Sequence, residues 1–192
     1  MGTKHRCAAA LLLAVFLLFC TACGAAPVQP EDTENKDQYM TDPVPEGKPA
    51  PVEPQDVVRD DDAELTCTFS ISCATILDNW DKCDDSKKPL VPADGVILPS
   101  TTVTFSEGES VFDVLQRVCQ DNKIHMESVW TPMYNSAYVE GIHNLYEFDV
   151  GSLSGWMYSV NGWFPNYGCS RYQVEWRYTC DLGYDLGSGM GG

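Results

Sequence analysis

The stretch from Ser110 to Asn122 constrains the fold more than any other. Ser110 followed three residues later by Asp113 resembles a capping box, and Val111, Val114, Leu115, Val118 and Cys119 recur at helical spacing until Asp121-Asn122. That is a single amphipathic helix with one apolar stripe, and strand-like segments lie on both sides of it. Before it come "LTCTFSISC", where Leu65, Cys67, Phe69, Ile71 and Cys73 alternate with Thr and Ser, and "TTVTF", with a helical turn expected between them around Ile76, Leu77 and Trp80. After it come "KIHMESVW", "NLYEF", "GWMYSV" and "QVEWRYTC", the last carrying Val174, Trp176, Tyr178 and Cys180 on one face. Strands, one helix, then more strands predict an α+β fold: a small β-grasp-like domain, ββαββ in outline, with a mixed sheet and one main packed helix.

Only part of the chain can contribute to that core. Lys4, His5 and Arg6 form a basic start and Ala8 to Phe19 an apolar run too short for a comfortable membrane span, so residues 1–22 read as a signal peptide. Its end, "LFCTAC" before Gly24, resembles a bacterial lipoprotein signal in which Cys23 receives lipid and becomes the new N-terminus. Such an anchor would hold the chain on the outer face of the bacterial cell membrane, since multiple acyl chains bind where one binds only marginally; the alternative is an ordinary cleaved signal peptide and a freely secreted protein. Residues 23–64 carry Pro27, Pro30, Pro43, Pro45, Pro49, Pro51 and Pro54, many acids and few large apolar groups, and are expected to form a disordered tether. The folded domain is expected over residues 65–187, and the Gly-rich 188–192 reads as a tail.

Charge and cysteine usage exclude several functions. A net charge of −16 with no Lys/Arg stripe makes nucleic acid and anionic lipid surfaces poor partners. Beyond Cys23, the cysteines Cys67, Cys73, Cys83, Cys119, Cys169 and Cys180 are even in number and contain no C-x-x-C pair, which in an exported chain points to disulfides of open connectivity rather than to a metal or redox centre. No catalytic residue is predicted. His125 and His143 stand in no motif with a nucleophile or with metal-ligand spacing, and Asp181 and Asp185 read as a polar C-terminal turn.

The aromatic residues carry the functional expectation. In "SGWMYSVNGWFPNYG", Trp156, Tyr158 and Val160 line one strand face, and Asn161-Gly162 is a strong turn signal. Trp163, Phe164 and Tyr167 follow that turn in a segment too irregular for a plain strand, with Asn166 among them as a turn-former. "VWTPMYNSAYVEG" adds Trp130, Tyr134 and Tyr138 on a Pro-broken segment. Trp156, Tyr158, Trp176 and Tyr178 are expected in the core. The other rings offer apolar area at low entropic cost and suit a flat, partly apolar partner such as a corrinoid, another tetrapyrrole or a carbohydrate.

The segments "VTFSEGESVFDVLQRVC", "IHMESVWTPMYNSAYVEGI", "LYEFD", "GSLSGWMYSVNGWFPNYGCSRY" and "VEWRYTCDLG" resemble the transcobalamin-like C-terminal domain family, a domain of unknown function found in bacterial surface lipoproteins. The resemblance runs over about residues 65–187 and is most specific between Val103 and Leu182. It implies a soluble-ligand-binding β-grasp fold and a non-catalytic binding role. The implied ligand is a small soluble molecule, cobalamin or another corrinoid, with no cofactor required and a transporter or surface protein as a further partner. The alternative is an adhesive module whose rings dock a protein or a cell-wall glycan. Two departures from the family stand out: Tyr172-Gln173 runs almost directly into the last strand, and Val150 stands where relatives often carry the cysteine that would pair with Cys169, which leaves Cys169 and Cys83 either as partners of each other or as unpaired thiols.

Overall fold

The computed structural model describes residues 38–39, 43–48, 50–165, 167 and 174–187, with backbone alone at 61–63, 174 and 175. The signal segment, Cys23, Asn166, Cys169 and the tail lie outside the described residues. The elements are β1 (Asp60–Ser72), the short helix α1 (Thr75–Asp78), β2 (Val96–Glu107), α2 (Val111–Asp121), β3 (Met126–Thr131), β4 (Ser136–Ile142), β5 (Leu145–Tyr146), β6 (Gly155–Val160) and β7 (Val174–Thr179). A fold of this composition is α+β, as the order of periodicities predicts. Among the described residues no helix is long and apolar enough to cross a membrane.

Four strands form one mixed sheet in the order β2-β1-β7-β6. β1 pairs antiparallel with β2 (Cys67 opposite Val103, Ile71 opposite Leu98) and parallel with β7 (Phe69 opposite Val174, Ile71 opposite Trp176). First and last strands thus lie side by side at the centre, the order of a β-grasp-like domain. The alternation of β1 puts Cys67, Phe69, Ile71 and Cys73 in the core. Helix α2 buries Val111, Val114, Leu115, Val118 and Cys119 in the same core. Its start is a true capping box: Asp113 N–H donates to Ser110 Oγ and Ser110 N–H to Asp113 Oδ2, each at 3.1 Å.

A second sheet, β3-β4-β5, is antiparallel. Two buried donors of the first sheet tie it on. Trp156 Nε1 donates to the Leu145 carbonyl at 2.8 Å, and the Tyr178 hydroxyl to the Tyr146 carbonyl at 2.7 Å. The two rings also meet edge to face, 5.3 Å between centroids at 85°. Trp176 and Tyr178 are buried, and Tyr158, only half-buried, packs its ring 5.6 Å from Trp176.

The cysteines differ from the expectation of disulfides. Cys67, Cys73, Cys83, Cys119 and Cys180 are all buried and each carries a free thiol. They fill core positions on and just after β1, in the loop after α1, on α2 and at the end of β7, where a thiol packs as a small apolar group. Val150 is likewise a buried apolar residue, 1% exposed.

Candidate functional site

The pleat of the β3–β4 hairpin sorts its aromatic residues. Trp130 stands opposite Ala137, and Val129 opposite Tyr138. Neighbours along a strand face opposite ways, so Trp130 shares a face with Ala137 and the buried Val139, while Tyr138 looks out from the other. On that outer face the Tyr138 hydroxyl donates to Glu147 Oε2. Burial, with the Glu147 carboxylate as its hydrogen-bond partner, pushes the phenol up to about 12.

At the hairpin tip, Pro132–Tyr134 forms a 3₁₀ turn ended by Asn135 in the left-handed conformation, φ 45°. Asn tolerates that conformation better than most residues. The turn carries Tyr134 to the Trp130 side. Both rings stay more than half exposed and line a cavity of about 340 Å³, which Tyr167 and Phe112 also line. Trp130, Tyr134 and Tyr167, three of the rings predicted to touch ligand, therefore converge on one site.

The opposite wall is the segment Pro51 to Arg59, which the composition had assigned to the tether. Strand β1 begins at Asp60, ahead of the expected Leu65, and the arm before it lies along the domain. Three contacts hold it. Asn135 Nδ2 donates to Glu53 Oε2 at 2.7 Å and to Gln55 Oε1 at 3.2 Å. Arg59 Nη2 donates to Asp113 Oδ2 at 3.1 Å, adding an ion pair to the capping box. Val57 and Val58 cross Gly108, where a Cβ would meet Val57 Cγ1 at 2.7 Å and the Val58 carbonyl oxygen at 2.8 Å, so the arm lies this close only because position 108 has no side chain. Its φ of +84° also requires glycine.

The remaining predicted residues sit elsewhere. The Asn161-Gly162 turn closes on Trp163, whose N–H donates to the Val160 carbonyl at 3.0 Å while Val160 N–H donates back at 2.7 Å. Trp163 is half-buried, 5.7 Å from the Tyr167 ring at 65°, with Lys48 Nζ 5.2 Å above its centroid. Tyr167 is buried, and its carbonyl accepts from the Tyr158 hydroxyl. Phe164 is half-buried outside the cavity lining. Sequence reasoning missed the arm residues Glu53, Val57 and Arg59, and Phe112 on α2.

Chemically the site offers aromatic walls with a mixed rim of one guanidinium, two carboxylates, an amide and the Ser110 and Ser136 hydroxyls. The two histidines lie away from it. His125 Nε2 is 3.2 Å from Glu127 Oε1, and His143 N–H donates to the His125 carbonyl at 2.7 Å. Asp185 accepts from Thr179 Oγ1 at 2.6 Å and from Cys180 N–H at 2.8 Å, a local C-terminal turn. Among the described residues no group of three or more His, Cys, Asp or Glu is arranged to hold a metal ion.

No curated protein matches the chain. Residues 108–177, which run from the glycine under the arm through α2 and the aromatic hairpin into β7, match the family model described as Domain of unknown function (DUF4430).

Proposed function

We propose that the chain is a lipid-tethered extracytoplasmic module that binds a small soluble ligand without catalysis, in the cavity between the β3–β4 hairpin and the arm. The observation that carries this reading is the convergence of Trp130, Tyr134 and Tyr167 on one cavity of about 340 Å³ with a polar rim. Small-molecule sites have this build: apolar walls with a few placed polar groups, at volumes of roughly 300–1,000 Å³. The resemblance to the transcobalamin-like family, over motifs that overlap the matched residues 108–177, supports a corrinoid as the ligand. The lipoprotein-like signal supports the membrane anchor and the outer face.

A second reading has its own observation. Trp130, Met133 and Tyr134 are between 52% and 63% exposed at one hairpin tip, a patch that suits a protein or a wall glycan.

Tryptophan-fluorescence titration of the protein with cobalamin and other corrinoids, repeated on Trp130→Ala and Trp163→Ala, separates these. The proposal expects saturable quenching that Trp130→Ala removes. Unchanged emission at saturating corrinoid, with no retention on a corrinoid resin, would dismiss the cobalamin reading.

A further inference from the structure

The wall formed by Pro51 to Arg59 differs in kind from the rest of the cavity. Its backbone joins neither sheet: within the arm the hydrogen bond is Asp56 N–H to the Glu53 carbonyl, a local turn at 2.8 Å. The contacts that hold it are side-chain contacts at its two ends and the crossing at Gly108. The ion pair is exposed on both partners, 58% for Arg59 and 36% for Asp113, and such pairs contribute little in water. Against them stands the conformational entropy of ordering a whole segment. The domain beneath does not depend on it, since β1, β2, α2 and β7 bury their own core without any arm side chain.

We infer that Pro51 to Arg59 is a removable strap: it exchanges between a docked state that completes the cavity and a free state that opens it, while the domain stays folded. The geometry gives this a consequence, which rests on the cavity being a ligand site. A molecule held between the Trp130–Tyr134 wall and Val52, Glu53 and Val57 contacts both sides, so it favours the docked state, and undocking releases it. The strap leads directly into the Pro-rich segment, so docking also fixes where the domain hangs on that segment.

Pulsed electron paramagnetic resonance on the full chain tests this, with spin labels at Asp56→Cys on the arm and Asp121→Cys at the end of α2, both exposed positions. The described native thiols are buried and do not compete for label, and the labelled chain also carries Cys169→Ser. Two distance populations are expected, one narrow and one broad. Asn135→Gly, which keeps the left-handed backbone, should lower the docked-to-free ratio by about fivefold, and Arg59→Ala by about twofold, with circular dichroism and thermal unfolding of the domain unchanged. A single narrow population that neither substitution moves makes the arm a fixed wall and overturns the inference, as does a single broad one. Adding the dye anilinonaphthalene sulfonate, a small aromatic probe, should raise the docked share, and Trp130→Ala should abolish its fluorescence gain. Dye that binds without shifting the populations overturns the coupling. Dye that does not bind at all counts against the cavity as a ligand site, while the populations still decide the strap.

Discussion

Trp130 and Tyr138 stand on opposite faces of the β3–β4 hairpin, Trp130 paired with Ala137 and Tyr138 with Val129. One aromatic cluster in the sequence is therefore two surfaces in the fold. Of these two rings, Trp130 lines the cavity and Tyr138 does not. Trp130→Ala is expected to weaken ligand binding by at least tenfold, the loss of a large stacked ring in a pocket. Tyr138→Phe, which keeps the ring and drops the hydroxyl bound to Glu147, should leave affinity unchanged. Paired fluorescence titrations check both. Equal losses in the two variants would mean that ligand sits on the outer face.

The bonds from Trp156 and Tyr178 to the β5 carbonyls join the two sheets, so their loss should be felt globally. Tyr178→Phe removes a buried hydroxyl that donates to the Tyr146 carbonyl and lies 3.0 Å from Ser154 Oγ. The Tyr146 carbonyl keeps the Asp149 N–H at 3.3 Å and Ser154 Oγ keeps the Val150 N–H at 3.1 Å, so the change removes one hydrogen bond and costs about 1 kcal/mol. Urea denaturation should show the midpoint falling with the slope unchanged. A midpoint within error of the parent would show that water replaces the hydroxyl.

Residues whose neighbours are close in sequence were legible, and those whose partners are distant were not. The α2 helix announces itself because its cap and its stripe are local: Ser110 and Asp113 bond each other, and the stripe repeats every turn. Alternation likewise exposes β1 and β6. The division into two sheets is invisible in the pattern, because it is decided by whether Leu145 and Tyr146 meet Trp156 and Tyr178. The arm is the sharper case. Its prolines and acids resemble a solvated tether, and its docking depends on a missing side chain at Gly108 and an amide at Asn135, 82 residues from Glu53. Composition measures what a segment can bury alone, and this one is held by a surface made elsewhere. The rings after Asn161-Gly162 show the same limit, since a turn signal places Trp163 beside Val160 but says nothing of Lys48 above it.

Ser110 holds the first turn of α2 and lies under the cavity. Ser110→Ala removes the acceptor for Asp113 N–H and should cost about 1 kcal/mol of folding stability. Ser110→Thr keeps the acceptor and should restore most of that. Thermal unfolding of the three proteins checks it. A Ser110→Ala loss that Ser110→Thr does not recover would place the cause in packing rather than in the cap.

The buried thiols make alkaline stability a test of the core. Burial pushes the Cys73 thiol up from 9.0 to about 12, and those of Cys119 and Cys180 to about 11. Tyr178 moves upward for the same reason, desolvation of its charged form. The sign follows from which state holds its protons longer. Above its ordinary value the unfolded chain releases a thiol proton that the folded chain keeps, so the folded state binds more protons and stability falls as pH rises. The contribution is complete below about 9 and is lost on the climb toward 11 and 12. Urea midpoints are therefore expected to hold near pH 8 and to drop clearly near about pH 10.5. Native thiols should react slowly with a disulfide reagent at the lower pH and fully in urea, since the thiolate is the nucleophile. An alkaline midpoint equal to the neutral one, together with fewer reactive thiols in urea than the chain's free cysteines, would mean that pairs of them are joined.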